Sequence, residues 1–393
     1  MIATAPSAFE RHRARLEALG APELLVGAVA EAAATLGLPA TATGWRRTRE
    51  YYAPAREPYA TFAMESRDPQ VVVRVEAFAE RPDRAAGTAR LRRDAIGWLR
   101  VAPLADDPAL PTLGELLDAE PGPRTVVRYQ PMRRCTIRFG ERGAARFAKV
   151  FADERGPSVH RLNEAAWRAP LPFAVPPPGH CDERLRTVWQ GELAGEPVAD
   201  ALAGPDGTGV AQALGRAAGA LTRAPIAAER VLDAATHLDR AAAHGRKMAR
   251  VVPDLAADVD ELLARLGALH AAAPPRPPVP VHGSPHPEQW LLDGERLGLV
   301  DFDGLALAAP ELDASAMLVA LERAAAIEHL AAPFLDAYES AAGPLRPGLL
   351  AAHRAQRWLA AAHKAARQPR PDGDRRAAQR LRRALAIAEE GAR

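Results

Sequence analysis

Between residues 281 and 304 the chain reads VHGSPHPEQWLLDGERLGLVDFDG, and no other stretch limits the folds open to it so strongly. Two apolar runs, QWLL and LGLV, flank the turn-forming pair Asp293-Gly294, a pattern that predicts a short β-hairpin. Gln289 then stands where one strand begins and Asp301 where its partner ends. Antiparallel pairing sets those ends side by side, so an amide oxygen and the carboxylates of Asp301 and Asp303 converge. Hard oxygen donors of this kind suit Mg2+ held together with substrate phosphates. The preceding loop, His282 to Pro287, is polar and stiffened by Pro285 and Pro287, and can hold a reacting group beside a metal.

A chain of 393 residues exceeds the usual single hydrophobic core, which predicts two lobes with a ligand cleft between them. The net charge of +2 gives no reason to expect nucleic acid or an anionic membrane as partner. Cys135 and Cys181 match no metal-ligand spacing and make no disulfide framework, so a reduced, cytoplasmic setting is expected. The first twenty residues read as an amphipathic helix rather than a signal peptide, and no run reaches the ~20 apolar residues of a membrane span. The Ala-, Arg- and Pro-rich composition suits a GC-rich bacterial genome.

Residues 8–36 have helical periodicity, and 51–78 predict a hairpin turning at Asp68-Pro69. Residues 83–100 read as helix again. The segments TVVRYQ, CTIRFG and ARFAKVF, over 124–151, predict a three-stranded antiparallel meander. The third strand carries Lys149 among apolar residues, where a lysine ordinarily snorkels to solvent. A helix with Glu164 follows at 158–169, then a strand, RLRTVWQGEL, running into a hinge-like turn at Ala194 to Pro197. Beyond it the chain reads as helices at about 198–203, 208–223, 230–249, 254–272, 311–323, 325–341, 347–367 and 373–390.

A β-rich part with a strand lysine and a helix glutamate, a hinge, then a helical part with a polar loop and a metal hairpin follow one another in kinase order. Over roughly residues 124–340 the chain resembles the aminoglycoside phosphotransferase and choline kinase family, small-molecule kinases of protein-kinase-like fold. The resemblance rests on HGSPHPEQWLL and LVDFDGLALAAPELDAS, with support from AKVF, LNEAAW and FLDAYE. It implies a two-lobed α+β protein with an extension over 1–123, a nucleotide-binding small lobe over 124–193 and a helical lobe over 194–393. The extension would pack on the small lobe or offer a surface to a protein partner. The resemblance also implies ATP or another nucleoside triphosphate with Mg2+, and a hydroxyl acceptor on a small molecule or peptide. Lys149 would meet the nucleotide phosphates, held by Glu164. Met132 and Arg133 would lie in the turn over the phosphates, Glu192 and Leu193 would offer hinge backbone to adenine, and Gln289 and Asp301 would bind the metal. Asp313 would fix the catalytic loop.

Three positions depart from the family pattern. Ser284 stands where the family has the aspartate that accepts the hydroxyl proton, and a serine has negligible basicity at neutral pH. Met132 replaces a small residue in the turn over the phosphates, and Thr222 stands where relatives often have histidine. His286, Glu288 and Asp303 are near enough in sequence to replace the missing base. Two readings therefore stay open: a phosphotransferase with an altered loop, or a pseudokinase that binds nucleotide or another ligand as scaffold or regulator. Ser284 with His282 or His286 and Asp301 also names the members of a hydrolase triad, but no Gly-x-Ser-x-Gly elbow surrounds the serine. His282, His286 and Glu288 lack the helical spacing of a transition-metal site.

Overall fold

The structure, a computed structural model, describes residues 15, 17–19, 22–38, 45–51, 59–64, 70–83, 86–90, 97–368 and 372–393. The protein is a two-lobed α+β chain of kinase-like arrangement, with antiparallel sheets in its first half and helices in its second. Strands β1 (Trp45–Tyr51), β2 (Tyr59–Met64), β3 (Val71–Phe78), β4 (Thr88–Arg90) and β5 (Trp98–Pro103) form one sheet, ordered β1-β2-β3-β5-β4. Strand β3 reads VVVRVEAF and is covered on both faces, one wholly apolar and the other carrying Arg74 and Glu76 beside Val72. Val73, Val75 and Ala77 pack with Leu25, Val29 and Ala33 of helix α1 (Pro22–Ala34). Val72 turns the other way, into a core shared with the next sheet.

That next sheet contains β6 (Arg124–Gln130), β7 (Arg134–Phe139), β8 (Arg146–Phe151), β9 (Pro178–Asp182) and β10 (Thr187–Gly191), ordered β6-β7-β8-β10-β9. Cys135, Ile137, Ala148, Val150 and Trp189 enter the shared core, where Leu113 and Leu116 of helix α2 (Leu113–Ala119) meet them. Side chains alternate across a strand, so Lys149, between Ala148 and Val150, emerges on the opposite face beside Val188 of β10. Helix α3 (Gly156–Arg168) covers that face through Val159, which packs on Phe151 and Val188.

Two local expectations change. Among the described residues of 83–100 none is helix, and 88–90 and 98–100 are strand: β4 and β5 pair with each other, and β5 pairs with β3. The helical period there came from spaced alanines and arginines, whereas Leu99 and Val101 alternate and find a sheet edge to join. Gly87, at φ 73°, lies so close to β5 that a Cβ would stand 2.4 Å from the Val101 carbonyl oxygen. Strand β9, hidden in sequence by Pro176 to Pro178, occupies the sheet edge, where a proline's missing N–H costs little. The turn expected at Asp68-Pro69 and the helix start at 8–14 lie outside the described residues.

The helical half contains α4 (Ala199–Ala203), α5 (Gly207–Leu221), α6 (Ala234–Ala249), α7 (Ala256–Ala272), α8 (Glu311–Glu322), α9 (Ala331–Ala342), α10 (Pro347–Ala366) and α11 (Gly373–Glu390). These agree with the periodicity to within a few residues, except that 325–330 is a 3-10 turn and Val231–Leu232 is a strand, β12, which follows the two-residue β11 (Glu196–Pro197) at the hinge-like turn. Helices α5 and α9 touch backbone to backbone: a Cβ on Gly215 would stand 2.3 Å from the Phe334 carbonyl oxygen. Ala352, Ala355 and Ala362 give α10 an equally thin contact face, packed against Leu262 of α7 and Leu381 of α11. Among the described residues no helix is long and apolar enough to cross a membrane.

Four short strands complete the helical half: β13 (Val279–Val281), the hairpin β14 (Trp290–Asp293) and β15 (Arg296–Leu299), and β16 (Ala306–Ala308). The hairpin turns on Gly294-Glu295, one residue later than its sequence suggests, with Gly294 at φ 59°. A glycine at the first central position fits the twist of a two-residue hairpin loop. Trp290 is fully buried and edge-on to Phe173 at 5.1 Å. Ala174 pins the hairpin by accepting from Leu299 N at 2.9 Å and donating to Leu297 O at 2.8 Å.

Candidate active site

Lys149 leaves β8 toward Asp301 and Asp303, which line a cleft of about 580 Å3 between the second sheet and the loops that flank the hairpin. Its side chain is 6% exposed, and Nζ lies 2.7 Å from Asp301 Oδ1 and 2.6 Å from Asp303 Oδ1. Arg134, at the start of β7, donates to Asp303 Oδ2 at 2.6 Å and lies 3.6 Å from Asp301 Oδ2. Two cations thus face two carboxylates in a largely dry site. Burial alone would raise the Asp301 carboxyl, but Lys149 and Arg134 outweigh it and hold that carboxyl far below the usual carboxylate range. Burial would likewise lower the Lys149 ammonium, and Asp303 and Asp301 instead raise it.

The end of β15 aims this group. Asp301 adopts a left-handed backbone, φ 71°, ψ 51°, which aspartate tolerates better than most residues. Gln289, next to it as the hairpin geometry predicts, donates from Nε2 to Asp301 Oδ2 at 3.1 Å. Its Oε1 is buried and has no hydrogen-bond partner.

The loop between β13 and the hairpin is held by Asp313 of α8. One carboxylate oxygen accepts from His282 N at 2.6 Å and the other from Gly283 N at 2.8 Å. The buried His282 ring reaches the Val300 carbonyl oxygen through Nε2 at 3.0 Å, away from Ser284. Gly283, at φ 90°, passes so close to Gly304 that a Cβ would stand 2.6 Å from its oxygen. Ser284 is exposed in the cleft, and its Oγ accepts from Arg357 of α10 at 2.8 Å. The same guanidinium donates to Gly283 O at 2.8 Å. His286 is 4.0 Å from the exposed carboxylate of Glu288, and burial lowers its imidazole. Both oxygens of Asp303 are engaged, by Lys149 and Arg134.

Other candidates stand elsewhere. The pair expected between Lys149 and Glu164 is not formed. Glu164 is 3.1 Å from Arg168 and 3.9 Å from His160, along the partly exposed side of α3. Val159, Asn163 and Ala166 are the residues of that helix facing inward, which leaves Glu164 a step around the helix from the cleft. Glu192 accepts from Gly143 N and Ala145 N and so caps the β7–β8 turn, while its own N–H donates to Ala145 O. Leu193 packs on Gly298 of the hairpin. Arg133 and Met132 border the cleft.

One residue absent from the sequence reading governs the Met132 turn. Asp107, 1% exposed, accepts from Met132 N at 2.8 Å, Tyr129 Oη at 2.7 Å and Ala109 N at 2.9 Å, with Arg74 of β3 3.8 Å away. Burial and then Asp107 push the Tyr129 hydroxyl far above its ordinary value. No local pattern in ADDPAL distinguishes this carboxylate from a surface turn residue. Its grip keeps Met132 at φ 64°, a backbone that costs a side-chain-bearing residue about 1–2 kcal/mol. Met132→Gly is therefore expected to stabilise the protein by about 0.5–1 kcal/mol, once the added freedom of the unfolded chain is subtracted. A urea midpoint that moved down would show that the methionine side chain outweighs the strain.

A kinase-like α+β frame with a lysine, two aspartates and a glutamine converging under the second sheet defines a phosphotransferase-like class. Residues 120–351, more than half of the chain, match the model of the phosphotransferase enzyme family that includes the aminoglycoside phosphotransferases, and the chain belongs to that family. Among solved structures it is similar to a spectinomycin phosphotransferase in complex with ADP and spectinomycin, at 9% identity over 69% of this chain and 93% of that one, with a TM-score of 0.49. It is also similar to a choline/ethanolamine kinase family protein from Mesorhizobium loti, at 18% identity over 73% and 92%, with a TM-score of 0.48. A third likeness is to a choline kinase from Streptococcus pneumoniae, at 11% identity over 68% and 93%, with a TM-score of 0.47. Comparison with curated proteins finds no match.

Proposed function

We propose that the chain binds a nucleoside triphosphate, ATP in the simplest case, and transfers its γ-phosphoryl group to an oxygen of a small molecule or peptide. The observation that carries this reading is the convergence of Lys149, Asp301 and Gln289 at the cleft. The donor set fits a divalent cation, because Gln289 Oε1 is buried without a partner right beside an ionised Asp301. Gln289 and Asp301 would hold Mg2+, whose charge when bound offsets the negative charge of the phosphoryl oxygens. Lys149 is kept charged by its two carboxylates, so it would meet a phosphate as a full positive charge. Arg134 and Arg133 add positive charge on the sheet side of the cleft. Asp313 holds the backbone of His282 and Gly283, and therefore positions residue 284.

The second reading, a pseudokinase, is favoured by Ser284, whose only hydrogen-bond partner among the described residues is Arg357. Thermal shift with Mg-ATP together with ADP release separates the two. The expected result is Mg-dependent stabilisation by ATP and ADP release that Asp301→Asn lowers at least tenfold. Binding with no ADP release above the Asp301→Asn background would support the pseudokinase, and no binding at all would remove both readings.

A further inference from the structure

The cleft holds more positive charge than its carboxylates use. Arg134 and Lys149 are matched by Asp301 and Asp303. Further cations stand on the Ser284 side: Arg357 donates to its Oγ, Arg230 donates to the carbonyl oxygen of Gly304, and both Arg230 and Ser284 border the same cavity. Arg240 of α6 is exposed and, among the described residues, makes no hydrogen bond or ion pair. Burial, then Arg240 and Arg155, pushes the Arg230 guanidinium below its ordinary value. Burial does the same to Arg357, with Asp313 opposing and Arg240 adding to it.

Three neighbouring carboxylates are engaged elsewhere, and Glu288, on the Ser284 loop, is exposed to solvent 4.0 Å from His286. Asp153 pairs with Arg155 at 2.6 Å, Glu229 lies 3.3 Å from Arg161, and both oxygens of Asp313 accept loop amides. An arc of arginines with few free carboxylates is an anion site, and a cationic acceptor would be repelled from it. Ser284 is hydrogen-bonded to Arg357 and borders the cavity that Arg230 also lines.

Resting on the phosphotransferase reading, we propose that the acceptor is an anion, a carboxylate or a phosphate, whose charged oxygen is itself the nucleophile. A neutral hydroxyl must give up a proton as it attacks, which is what a carboxylate at position 284 would serve. A carboxylate or phosphate oxygen already carries its electron pair. That oxygen forms a bond to the γ-phosphorus, the bond from the γ-phosphorus to the β–γ bridging oxygen breaks, and the electron pair leaves on ADP. No proton is transferred, and the products are ADP and an acyl phosphate or a phosphoanhydride. On this account Ser284 removes a negative charge that would repel the acceptor, and Arg357, which donates only to the neutral Ser284 Oγ and Gly283 O, keeps its charge uncompensated by a carboxylate at that position.

The test uses the full chain with Mg2+ and a saturating non-hydrolysable ATP analogue, so that the nucleotide site is filled before any acceptor is added. Inorganic phosphate, succinate and choline are then titrated by calorimetry. Phosphate or succinate is expected to bind and choline not to. Affinity for the anion should fall at least tenfold in Ser284→Asp and at least threefold in Arg240→Ala, whose exposed side chain leaves the melting temperature of the free protein unchanged. Absence of anion binding, binding unaltered in both variants, or preferential binding of choline would overturn the proposal. Failure of the nucleotide analogue to bind in the first step would instead overturn the phosphotransferase reading beneath it. With ATP and the bound anion, ADP release should fall in Ser284→Asp, and a rise overturns the proposal. Hydroxylamine trapping to a hydroxamate identifies a carboxylate acceptor, whereas a new phosphoanhydride signal in 31P NMR identifies a phosphate.

Discussion

Lys149→Met is expected to destabilise the protein by about 3–5 kcal/mol, because it removes one partner from a buried charge cluster and leaves Asp301 and Asp303 facing Arg134 alone. The loss should carry a pH signature. In the wild type the Asp301 carboxyl is depressed below its unfolded value of about 3.9, so its contribution is fully present above that pH and is lost as pH falls toward the folded value. Lys149 is raised, so its contribution is present below about 10.4 and lost as pH climbs past it. Without the lysine one of the two aspartates is driven toward its neutral form, and the acid-side loss of stability should shrink or reverse. Urea midpoints from pH 3 to pH 8 test this. A variant within about 1 kcal/mol of wild type across that range would mean that the four charges are solvated and contribute no more than a surface network. Mg-ATP affinity should fall at least tenfold in the same variant, on the proposed role of Lys149.

Asp313→Ala should cost a similar ~3–5 kcal/mol and loosen the loop that carries Ser284. Its carboxylate is fully buried and accepts two backbone N–H groups, and deleting it leaves both His282 N and Gly283 N without a partner. Each orphaned buried donor costs about 1–3 kcal/mol. Burial raises the Asp313 carboxyl, with His282 nearby opposing, so part of the desolvation cost disappears with it and the net loss falls short of the sum. Asp313→Asn keeps one acceptor oxygen and should lose about half as much. Hydrogen exchange at residues 282 and 283 reads the effect directly: both amides should exchange faster in Asp313→Ala, and unchanged protection would show that water replaces the carboxylate. The Arg357 contacts to Gly283 and Ser284 are the remaining anchor, so ADP release should drop even where the fold survives.

Much of the frame was legible in the sequence. Helices α5 to α11 follow periodicities that belong to the segments themselves, and the hairpin follows from QWLL, Asp293-Gly294 and LGLV, because turn chemistry and side-chain alternation act over a few residues. The adjacency of Gln289 and Asp301 follows for the same reason: a hairpin of known register fixes which residues sit at its open end. The first half was harder to read. The 83–100 segment carries a helical spacing and a strand spacing at once, and the existing edge of β3 decided between them. Glu164 shows a second kind of failure. The family motif places a glutamate on the helix after the lysine strand, but rotation of α3 presents Asn163 inward instead.

Short local surroundings identify the residues that could carry the chemistry: a strand lysine, a hairpin glutamine and aspartate, and a serine at the position of a base. Tertiary structure alone decided their partners. Lys149 and Asp301 are 152 residues apart, Arg357 and Ser284 73, and Asp107 and Met132 25. Charges separated by such distances along the chain interact only after packing has brought them together and removed the water between them. The low-dielectric contact, and not the motif, sets which carboxylates hold the lysine and which cation faces the serine.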